Sequence, residues 1–305
     1  MKISIILPYY NEEKTIALTL GCLKNQTYKS DEVIFVDSGS TDKTSDIINQ
    51  SLINNPELNF KNILCGKRCT SETINLGIKE SRYEYIMYMD CGLYIPPNWV
   101  ESQMNKSIES NGDIISGRIY TEGINVIDKS FIAHTYGYKN KCICLTGSLI
   151  KKSIYKDMGY FEDNMRSGYD VDFINRSKQK SYKRIVNKNI YLKYYDVNFA
   201  ATILDGYNKT KLYSKTGWKA SGDIKPYLYL LIIAIILSAV FFLHINYSII
   251  LFISYLVLRG YAIPFYKSKK VFEGLNKYFF IMLPLIAIVF DLARINGYID
   301  GLIKR

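Results

Sequence analysis

The sequence predicts an α/β domain built on a doubly wound, mainly parallel sheet, followed by a C-terminal membrane helical region. Two observations support this prediction. In residues 1–90, short apolar runs alternate with segments whose apolar residues recur at helical spacing, and strands separated by helices are typical of parallel sheets. After residue 226 the chain carries three apolar runs, more than soluble proteins usually contain in so short a stretch.

The strand and helix candidates follow one another in the order that a doubly wound sheet requires. The strand candidates are short apolar runs, and the helix candidates carry apolar residues three or four positions apart. Strands are predicted over residues 3–7, 34–36, 62–65 and 85–89, and helices over residues 12–26, 40–52 and 70–79. Beyond residue 110 the pattern turns toward antiparallel strands and loops. We place the first domain over residues 1–222 and the apolar helices over residues 223–305.

Polar side chains follow three of the predicted strands where those strands end. The first strand runs into "PYYNEE", the second into "DSGSTD" and the fourth into "DCG". Ligands of doubly wound sheets bind beyond the carboxyl ends of the strands, so Asp37 and Asp90 indicate a site. Two alternatives stay open: Asp37 and Asp42 cap a helix, or Asp90 only ends a strand. No Gly-x-Gly-x-x-Gly follows the first strand, which disfavours dinucleotide binding.

The positive charge of the chain is concentrated before and within its apolar part. The formal net charge is +11, and residues 139–225 alone hold 18 Lys and Arg against 8 Asp and Glu. This position favours an anionic membrane surface as the partner and argues against nucleic acid. The lysine-rich segment 209–225, with Tyr213 and Trp218 between its lysines, is predicted to lie at a membrane interface. A solvated basic linker is the alternative.

The apolar part predicts a multi-pass protein of the cytoplasmic membrane. Residues 227–243 carry no charge over 17 positions, and a helix of that length spans about 25 Å of a hydrocarbon core of about 30 Å. A second run, 248–258, forms a hairpin with it, and the lysine-rich flanks place both ends in the cytoplasm. No signal peptide is recognised, so the first domain is expected in the cytosol. The run 278–290 crosses, re-enters or lies at the interface. A buried helical core is the alternative for all three.

The cysteines and histidines predict no structural metal. A cytosolic domain keeps its cysteines as reduced thiols, and the closely spaced cysteines form no recognised zinc framework with two histidines. His134 and His244 are therefore predicted to be packing or interfacial residues. Asp172 lies four residues before Arg176, which predicts an ordinary helical salt bridge. Asp170, at the start of the same helix, either caps it or points into a cleft.

Six segments within residues 1–185 occur in the order found in the family 2 glycosyltransferases, which this chain resembles. The segments are "SIILPYYNEEKTIALTL", "VIFVDSGSTDKT", "INLGIKES", "YIMYMDCGLYIPPNWVE", "TGSLIKKSIYKDMGYFED" and "YDVDFINR". The resemblance implies the Rossmann-like GT-A nucleotide-sugar fold, with a nucleotide half over about 1–110 and an acceptor half over about 111–222. The attached apolar runs resemble those of membrane-anchored members that make polysaccharides and lipid-linked glycans.

The resemblance also implies roles for individual residues. Asp170 falls where the family carries its catalytic base, Asp37 would accept the uracil N3 proton, and Asp90 would meet the diphosphate and a divalent metal, Mg or Mn. The residues that the resemblance places at the donor substrate are Pro8, Tyr9, Tyr10, Asn11, Glu12, Asp37, Ser38, Asn75 and Asp90.

Two positions depart from the family pattern. Gly92 stands where a second metal-binding acid is expected, and Tyr169 stands where the family has the Glu of a Glu-Asp pair. One aspartate can suffice, because Mg²⁺ keeps several waters and binds one or two carboxylates together with the phosphates of the substrate. In the alternative, the metal is weakly held and the basic residues after position 139 neutralise the leaving diphosphate.

The resemblance implies inverting, metal-assisted transfer of one sugar from a nucleotide-diphosphate sugar, a UDP-sugar, to a lipid-linked glycan on a polyprenyl diphosphate. Single addition is expected because a Gln-x-x-Arg-Trp motif, typical of processive members, is absent. A polyprenyl-phosphate sugar synthase is one alternative, and a degenerate, non-catalytic transferase scaffold at the membrane is the other.

Overall fold

The computed structural model describes residues 1–303 apart from 195–198, 222–223, 243–244 and 274–275, and it leaves out the side chains of 218–221 and 241. The predicted domain boundary at 222/223, the side chain of Trp218, and His244 lie outside the described residues. The chain divides into two compact units. Unit 1 comprises Met1–Tyr120 and Lys141–Asp196, and unit 2 comprises Thr121–Asn140 and Val197–Arg305.

Strands and helices alternate through the first half of the chain, as the sequence predicts. The strands are β1 (Ile3–Tyr9), β2 (Glu32–Asp37), β3 (Phe60–Leu64), β4 (Tyr85–Tyr88), β5 (Leu93–Tyr94), β6 (Ile114–Thr121), β7 (Asn140–Lys151), β8 (Arg184–Val186) and β9 (Leu192–Tyr194). The helices are α1 (Ile16–Lys24), α2 (Thr44–Asn54), α3 (Thr70–Glu80), α4 (Trp99–Ser110), α5 (Val126–Thr135), α6 (Lys152–Met158), α7 (Tyr169–Gln179), α8 (Ile203–Ser221), α9 (Lys225–Phe242), α10 (Ile245–Val257), α11 (Ile263–Lys267) and α12 (Lys277–Ile303).

Unit 1 is built on one mixed sheet with the strand order β3-β2-β1-β4-β7-β6-β9-β5, and β8 pairs with β6. Strand β1 lies parallel to both β2 and β4, and β2 lies parallel to β3. Beyond β4 the pairing changes, because β7 runs antiparallel to β4. The parallel half of the sheet therefore has the carboxyl ends of β1, β2 and β4 at one edge.

Alternating side chains of the central strands fill two separate cores, one on each face of the sheet. Ile5 and Met87 belong to one buried cluster, and Ile6 and Ile86 belong to the other. Successive side chains of a strand point to opposite faces, so continuous apolar runs are required where helices cover both faces. This is why the strands read as unbroken apolar runs rather than as alternating ones.

The first helix begins later than the sequence predicts. The helix expected from residue 12 starts at Ile16. Asn11 has a left-handed backbone with φ of 54°, and the amide of Glu12 donates to the Thr44 hydroxyl at 2.8 Å. The "NEE" turn is thus held against the loop before α2 instead of joining the helix.

Unit 2 is helical. Helix α12 packs against α8 and α5, and the α8 contact is close: a Cβ on Gly297 would lie 2.1 Å from the carbonyl oxygen of Lys211. Two continuous helical stretches, Ile245–Lys267 and Lys277–Ile303, are long and apolar enough to cross a membrane by length and composition. The apolar stretch Lys225–Val240 of α9 is shorter than either.

A proline interrupts the hydrogen bonding of α12, and side chains of unit 2 compensate for it. Pro284 has no N–H to donate to the carbonyl of Phe280, which instead accepts from the Tyr261 hydroxyl at 3.1 Å. His134 Nε2 lies 2.8 Å from the carbonyl oxygen of Leu283. The prediction that His134 is a packing residue is confirmed, since it is 1% exposed and burial lowers its pKa to about 3.

Candidate active site

Two of the predicted acids lie at the edge where the parallel strands end. Asp37 is the last residue of β2 and pairs in register with Tyr9, the last residue of β1. Asp90 follows β4 by two residues, and the preceding amide, that of Met89, still donates to the carbonyl of Ile6 on β1. Strand β1 therefore separates the two acids, and both belong to the carboxyl edge of the sheet.

The loop after β2 closes onto one oxygen of Asp37. Asp37 Oδ1 accepts hydrogen bonds from the amide of Ser40 at 2.8 Å and from its hydroxyl at 2.7 Å. Within the described part of the chain, Asp37 Oδ2 receives no hydrogen bond, so this oxygen is available to a ligand. Asp42 accepts from the amide of Thr44 at 3.1 Å, but Lys43 is the N-cap residue of α2 and the helix has no side-chain cap hydrogen bond among the described residues, so the helix-cap alternative for Asp42 is not borne out.

The turn after β1 carries several of the predicted donor residues. Pro8 and Tyr9 are in β1, and Tyr10 is 51% exposed. The Tyr9 hydroxyl donates to Asn62, and burial is the main reason that the pKa of Tyr9 is raised to about 12. Burial also raises the pKa of Glu12, and the nearby charge of Asp90 acts in the same direction. Tyr10 is thus the member of this turn that offers an exposed ring.

Asn11 and Ser38 tie the two loops of this edge together. The Asn11 side chain accepts from the amide of Thr41 at 2.8 Å, and the Ser38 hydroxyl donates to the carbonyl of Tyr9 at 3.1 Å. The amide of Ser38 donates to the same carbonyl at 2.9 Å. These contacts hold the shape of the edge.

Asn75 lies in the interior, 4% exposed, on α3. Its amide group donates to the carbonyl of Phe161 at 2.8 Å, and its carbonyl oxygen accepts from the amide of Phe161 at 3.0 Å. Both ends of the side chain are therefore used to clamp the segment before α7 onto α3. Its predicted contact with the donor stays a prediction.

Three hydroxyl groups from different strands surround the carboxylate of Asp90. The Tyr88 hydroxyl donates to Oδ1 at 2.7 Å. The hydroxyls of Thr146 and Tyr194 donate to Oδ2 at 3.1 Å and 2.9 Å. Both oxygens are thus oriented by hydroxyl donors. The alternative that Asp90 merely ends a strand does not account for this arrangement.

Asp170 lies in the first turn of α7 and is electrostatically coupled to Asp90. Burial is the largest cause of a raised pKa for Asp170, and the charge of Asp90 raises that pKa further. The backbone amides of residues 170 and 171 and the charge of Arg184 oppose the rise in this pKa. A buried carboxylate with a raised pKa, beside a second acid, is typical of a group that exchanges protons.

The two departures from the family pattern have clear structural settings. Gly92 has φ of 74°, and its amide donates to the Thr19 hydroxyl at 3.1 Å. A side chain at this position would be strained, so the turn itself is built for glycine. The Tyr169 hydroxyl lies 2.8 Å from the Tyr88 hydroxyl, which in turn contacts Asp90.

Sequence reasoning missed several residues that surround the acids. They are Tyr88, Cys144, Thr146, Arg184 and Tyr194, and all but Tyr88 come from strands distant in sequence from Asp90. Burial raises the pKa of the Cys144 thiol well above its usual range, and the charges of Asp90 and Asp170 add to this rise in pKa, so the thiol is neutral. For Tyr88 one signal was present: it lies two positions before Asp90, on the same face of a strand.

Asp172 forms the ion pair that the sequence predicts. Asp172 accepts from Arg176 at 2.8 Å, which confirms the helical salt bridge. None of the six cysteines forms a disulfide bond within the described residues. Within the described residues, no group of three His, Cys, Asp or Glu side chains converges on a possible cation site.

The carboxylate at position 90 fits a metal that is shared with a substrate. Asp90 alone supplies too few ligands for Mg²⁺ or Mn²⁺, but such ions commonly bind one or two carboxylates together with phosphate oxygens and water. The three hydroxyl donors already hold this carboxylate in one orientation. The donor set therefore suits an ion that arrives with a diphosphate.

Comparison with known proteins relates the chain to a family. The model of "Glycosyl transferase family 2" matches residues 4–191. A chondroitin synthase of Escherichia coli is 36% identical over 141 residues, which cover 44% of this chain and 18% of that protein. A poly-beta-1,6-N-acetyl-D-glucosamine synthase of Staphylococcus epidermidis is 29% identical over 178 residues, which cover 53% of this chain and 42% of that protein. The chain thus spans less than half the length of these relatives.

Solved structures share the fold. The mannosyltransferase PcManGT from Pyrobaculum calidifontis, in complex with GDP-Man and Mn²⁺, has a TM-score of 0.57 at 15% identity, covering 100% of this chain and 88% of that one. S. aureus TarS 1-349, in complex with UDP-GlcNAc, has a TM-score of 0.50 at 17% identity, covering 100% of this chain and 92% of that one. The predicted GT-A fold is confirmed.

Proposed function

Because this chain belongs to glycosyl transferase family 2, we propose that it transfers a single sugar from a UDP-sugar to a lipid-linked glycan, with inversion, at the cytoplasmic face of a membrane. One observation carries the proposal: Asp90 lies at the carboxyl edge of the sheet where Asp37 ends β2, and Tyr169, the residue before Asp170, has its hydroxyl 2.8 Å from the Tyr88 hydroxyl that donates to Asp90. An acid for the nucleoside, an acid for the diphosphate and a base for the acceptor are the groups that the reaction requires.

Asp170 acts as the general base in this proposal. A sugar hydroxyl is a poor nucleophile at neutral pH, and a positioned carboxylate takes its proton as the oxygen attacks the anomeric carbon. Direct displacement of the nucleoside diphosphate inverts that carbon. The charge of Arg184, which lowers the pKa of Asp170, helps to keep the base ionised against the effect of burial.

Asp90 faces the diphosphate of the donor. A divalent metal bound there with the diphosphate would neutralise the charge that develops on the leaving group. Three hydroxyl donors hold Asp90 in one orientation, which suits it to bind a cation. Gly92 contributes no second carboxylate, so the remaining ligands of the metal would be water and the diphosphate oxygens of the nucleotide.

Asp37 recognises the base of the nucleotide in this proposal. Its Oδ1 is held by Ser40, and Oδ2 would accept the N3 proton of uracil. The exposed ring of Tyr10 is suited to lie against the nucleoside. Hydrogen-bonding groups of this kind discriminate strongly against a base that lacks the matching donor.

The acceptor is proposed to be lipid-linked because of the character of unit 2. Helices α9 and α10 carry many exposed apolar side chains, for example Leu231, Leu237, Ile250 and Ile253. Lys269 and Lys270, between α11 and α12, are exposed and supply positive charge suited to anionic headgroups or a lipid diphosphate. Multi-pass anchoring, with unit 1 in the cytosol, is part of the same proposal.

Donor consumption tests the proposed function. We expect the detergent-solubilised full chain to consume a UDP-sugar in the presence of a lipid-linked glycan, with little consumption of GDP-sugars. Because Asp90 is a single carboxylate, Mn²⁺ should bind detectably only when UDP is present, and EDTA should lower the rate at least tenfold. Release of UDP, and Mn²⁺ binding by electron paramagnetic resonance, are the measurements. Failure to consume any nucleotide sugar would support the scaffold alternative.

Replacing Asp37 by alanine tests base recognition. We expect the affinity for UDP to fall about 10- to 100-fold, since a buried hydrogen bond to a charged group contributes roughly 1.5–3 kcal/mol. Isothermal titration calorimetry with UDP measures the change. Asp42→Ala is the matched control, because that side chain belongs to the same loop and accepts hydrogen bonds from Thr44. Equal losses in both variants would indicate that Asp37 acts only on the shape of the loop.

The polyprenyl-phosphate sugar synthase is the second candidate, and the same basic, apolar character of unit 2 motivates it. The products distinguish the two reactions. A lipid-linked glycan acceptor yields a glycosidic bond between sugars, whereas a lipid phosphate yields an acid-labile sugar phosphodiester. Mass spectrometry of the lipid product separates them.

A further inference from the structure

The side chains between the two coupled acids form a continuous chain of hydroxyl groups. Tyr169 lies 2.8 Å from Tyr88, hydroxyl to hydroxyl, and Tyr88 lies 2.7 Å from Asp90 Oδ1. Tyr169 is the residue immediately before Asp170 in the chain. The segment that carries Asp170 is therefore tied through two side chains to the carboxylate at the other side of the site.

The hydroxyl of Tyr88 can serve both of its neighbours at once. It donates its proton to Asp90 Oδ1 at 2.7 Å, and its oxygen can accept the proton of Tyr169, whose hydroxyl lies 2.8 Å away.

Both rings are fixed by packing. Tyr88 is 2% exposed in β4. The ring of Tyr169 meets the ring of Phe161 edge-on at 5.3 Å, and Phe161 is in turn clamped to α3 by Asn75. A hydroxyl on a ring held in this way has little freedom, so the hydrogen bond between the two hydroxyls can fix the distance between β4 and the start of α7.

We propose that Tyr169 and Tyr88 are positioning residues that hold Asp90 in place and fix its separation from Asp170. This inference deepens the proposed function and rests on it. The hydroxyl pair orients the one carboxylate of a site whose second acid position is Gly92. Groups that orient a ligand in this way typically contribute 10- to 100-fold to metal affinity or activity.

Removing one hydroxyl at a time tests the proposal in the full-length, detergent-solubilised chain. We expect Tyr88→Phe to weaken UDP-dependent Mn²⁺ binding about 10- to 100-fold and to lower kcat. We expect Tyr169→Phe to lower kcat about tenfold while the KM for the donor changes less than twofold. The reason is that Asp170 is no longer held at its distance from Asp90, whereas the contacts of the nucleotide are unchanged. Retention of wild-type kcat by Tyr169→Phe would overturn the proposal.

A double-mutant cycle identifies the connection itself. If Tyr169 acts through Tyr88, the Tyr88→Phe/Tyr169→Phe double variant has the kcat of Tyr88→Phe alone. If the kcat losses of the two single variants multiply instead, the two residues act independently, and the proposal that Tyr169 acts through Tyr88 is overturned. This comparison needs no estimate of how much each ring contributes to packing.

Tyr155→Phe is the matched control. Tyr155 is fully buried in the same core, its ring contacts Phe161 at 5.8 Å, and its hydroxyl has no partner within the described residues. This variant should keep the wild-type kcat and Mn²⁺ affinity. A loss of either would show that the effects of the other variants come from general destabilisation of the core.

Failure of the proposed function gives a different result. The wild-type chain would then consume no donor, whereas Mn²⁺ binding in the presence of UDP would still report on Tyr88.

Discussion

We expect the Asp170→Asn variant to lose sugar transfer while it still binds the nucleotide. A general base contributes typically 10²- to 10⁴-fold to a rate, and asparagine cannot accept the proton of the attacking hydroxyl. The substitution keeps the size of the side chain at its half-buried place in α7. The expected result is therefore a loss of at least 100-fold in kcat with little change in the affinity for UDP.

Asp172→Asn is the control for this prediction. Asp172 lies two residues further along in the first turn of the same helix and pairs with Arg176 at 2.8 Å, with 27% of each side chain exposed. A pair of this exposure contributes only about 0.3–0.5 kcal/mol, so its loss should leave kcat near the wild-type value. Loss of UDP binding in Asp170→Asn would instead indicate that Asp170 supports the fold.

The pH dependence of the wild-type enzyme follows from the same group. Asp170 must be ionised to accept a proton, and burial raises its pKa. The rate should fall as the pH decreases through this raised pKa, which lies above the usual range for aspartate. The lower limb of kcat/KM against pH reports this ionisation in the free enzyme. A flat profile down to the ordinary aspartate range would contradict the assignment.

We expect replacement of Arg259 by methionine to destabilise unit 2 strongly. Arg259 and Asp291 form an ion pair in which the side chains are 5% and 4% exposed. Tyr255 donates a further hydrogen bond to Asp291 at 2.9 Å. Removing one member of a buried pair leaves an uncompensated charge, which costs about 3–5 kcal/mol. Thermal unfolding in detergent, followed by circular dichroism, measures the loss.

Two further variants separate charge from packing. Replacing both partners, in Arg259→Met/Asp291→Leu, removes the unpaired charge and should restore most of the lost stability. Lys211→Ala removes an exposed ion pair with Asp300 and should change the free energy of unfolding by less than about 1 kcal/mol. Wild-type stability of Arg259→Met would show that Asp291 finds compensation elsewhere.

The parallel half of the fold was predictable because its signals are local. Buried strands covered on both faces are continuous apolar runs, and the helices between them show helical spacing, so β1 to β4 and α2 and α3 were found within a few residues. The start of α1 was wrong by four residues because the Asn11 turn depends on a contact with Thr44, which is distant in sequence.

The site was predictable only in part, for the same reason. Asp90 lies at a strand end, which the sequence marks, whereas Tyr194 reaches its carboxylate from a strand 104 residues away. Arg184 acts on Asp170 from β8, with no local pattern to reveal it. The length of α12 was also missed: the apolar run was predicted over 278–290, whereas the helix spans Lys277–Ile303 and continues through the charged residues after Phe290.

The left-handed backbone at Gly92 limits how this enzyme could be redesigned. The substitution Gly92→Asp would restore an acid at this position. It would also place a side chain on a left-handed backbone, which costs about 1–2 kcal/mol. Grafting a two-acid metal centre would require exchange of the whole loop, including its anchor at Thr19. The backbone conformation of this turn, and not only the missing side chain, therefore leaves Asp90 as the one carboxylate of the turn.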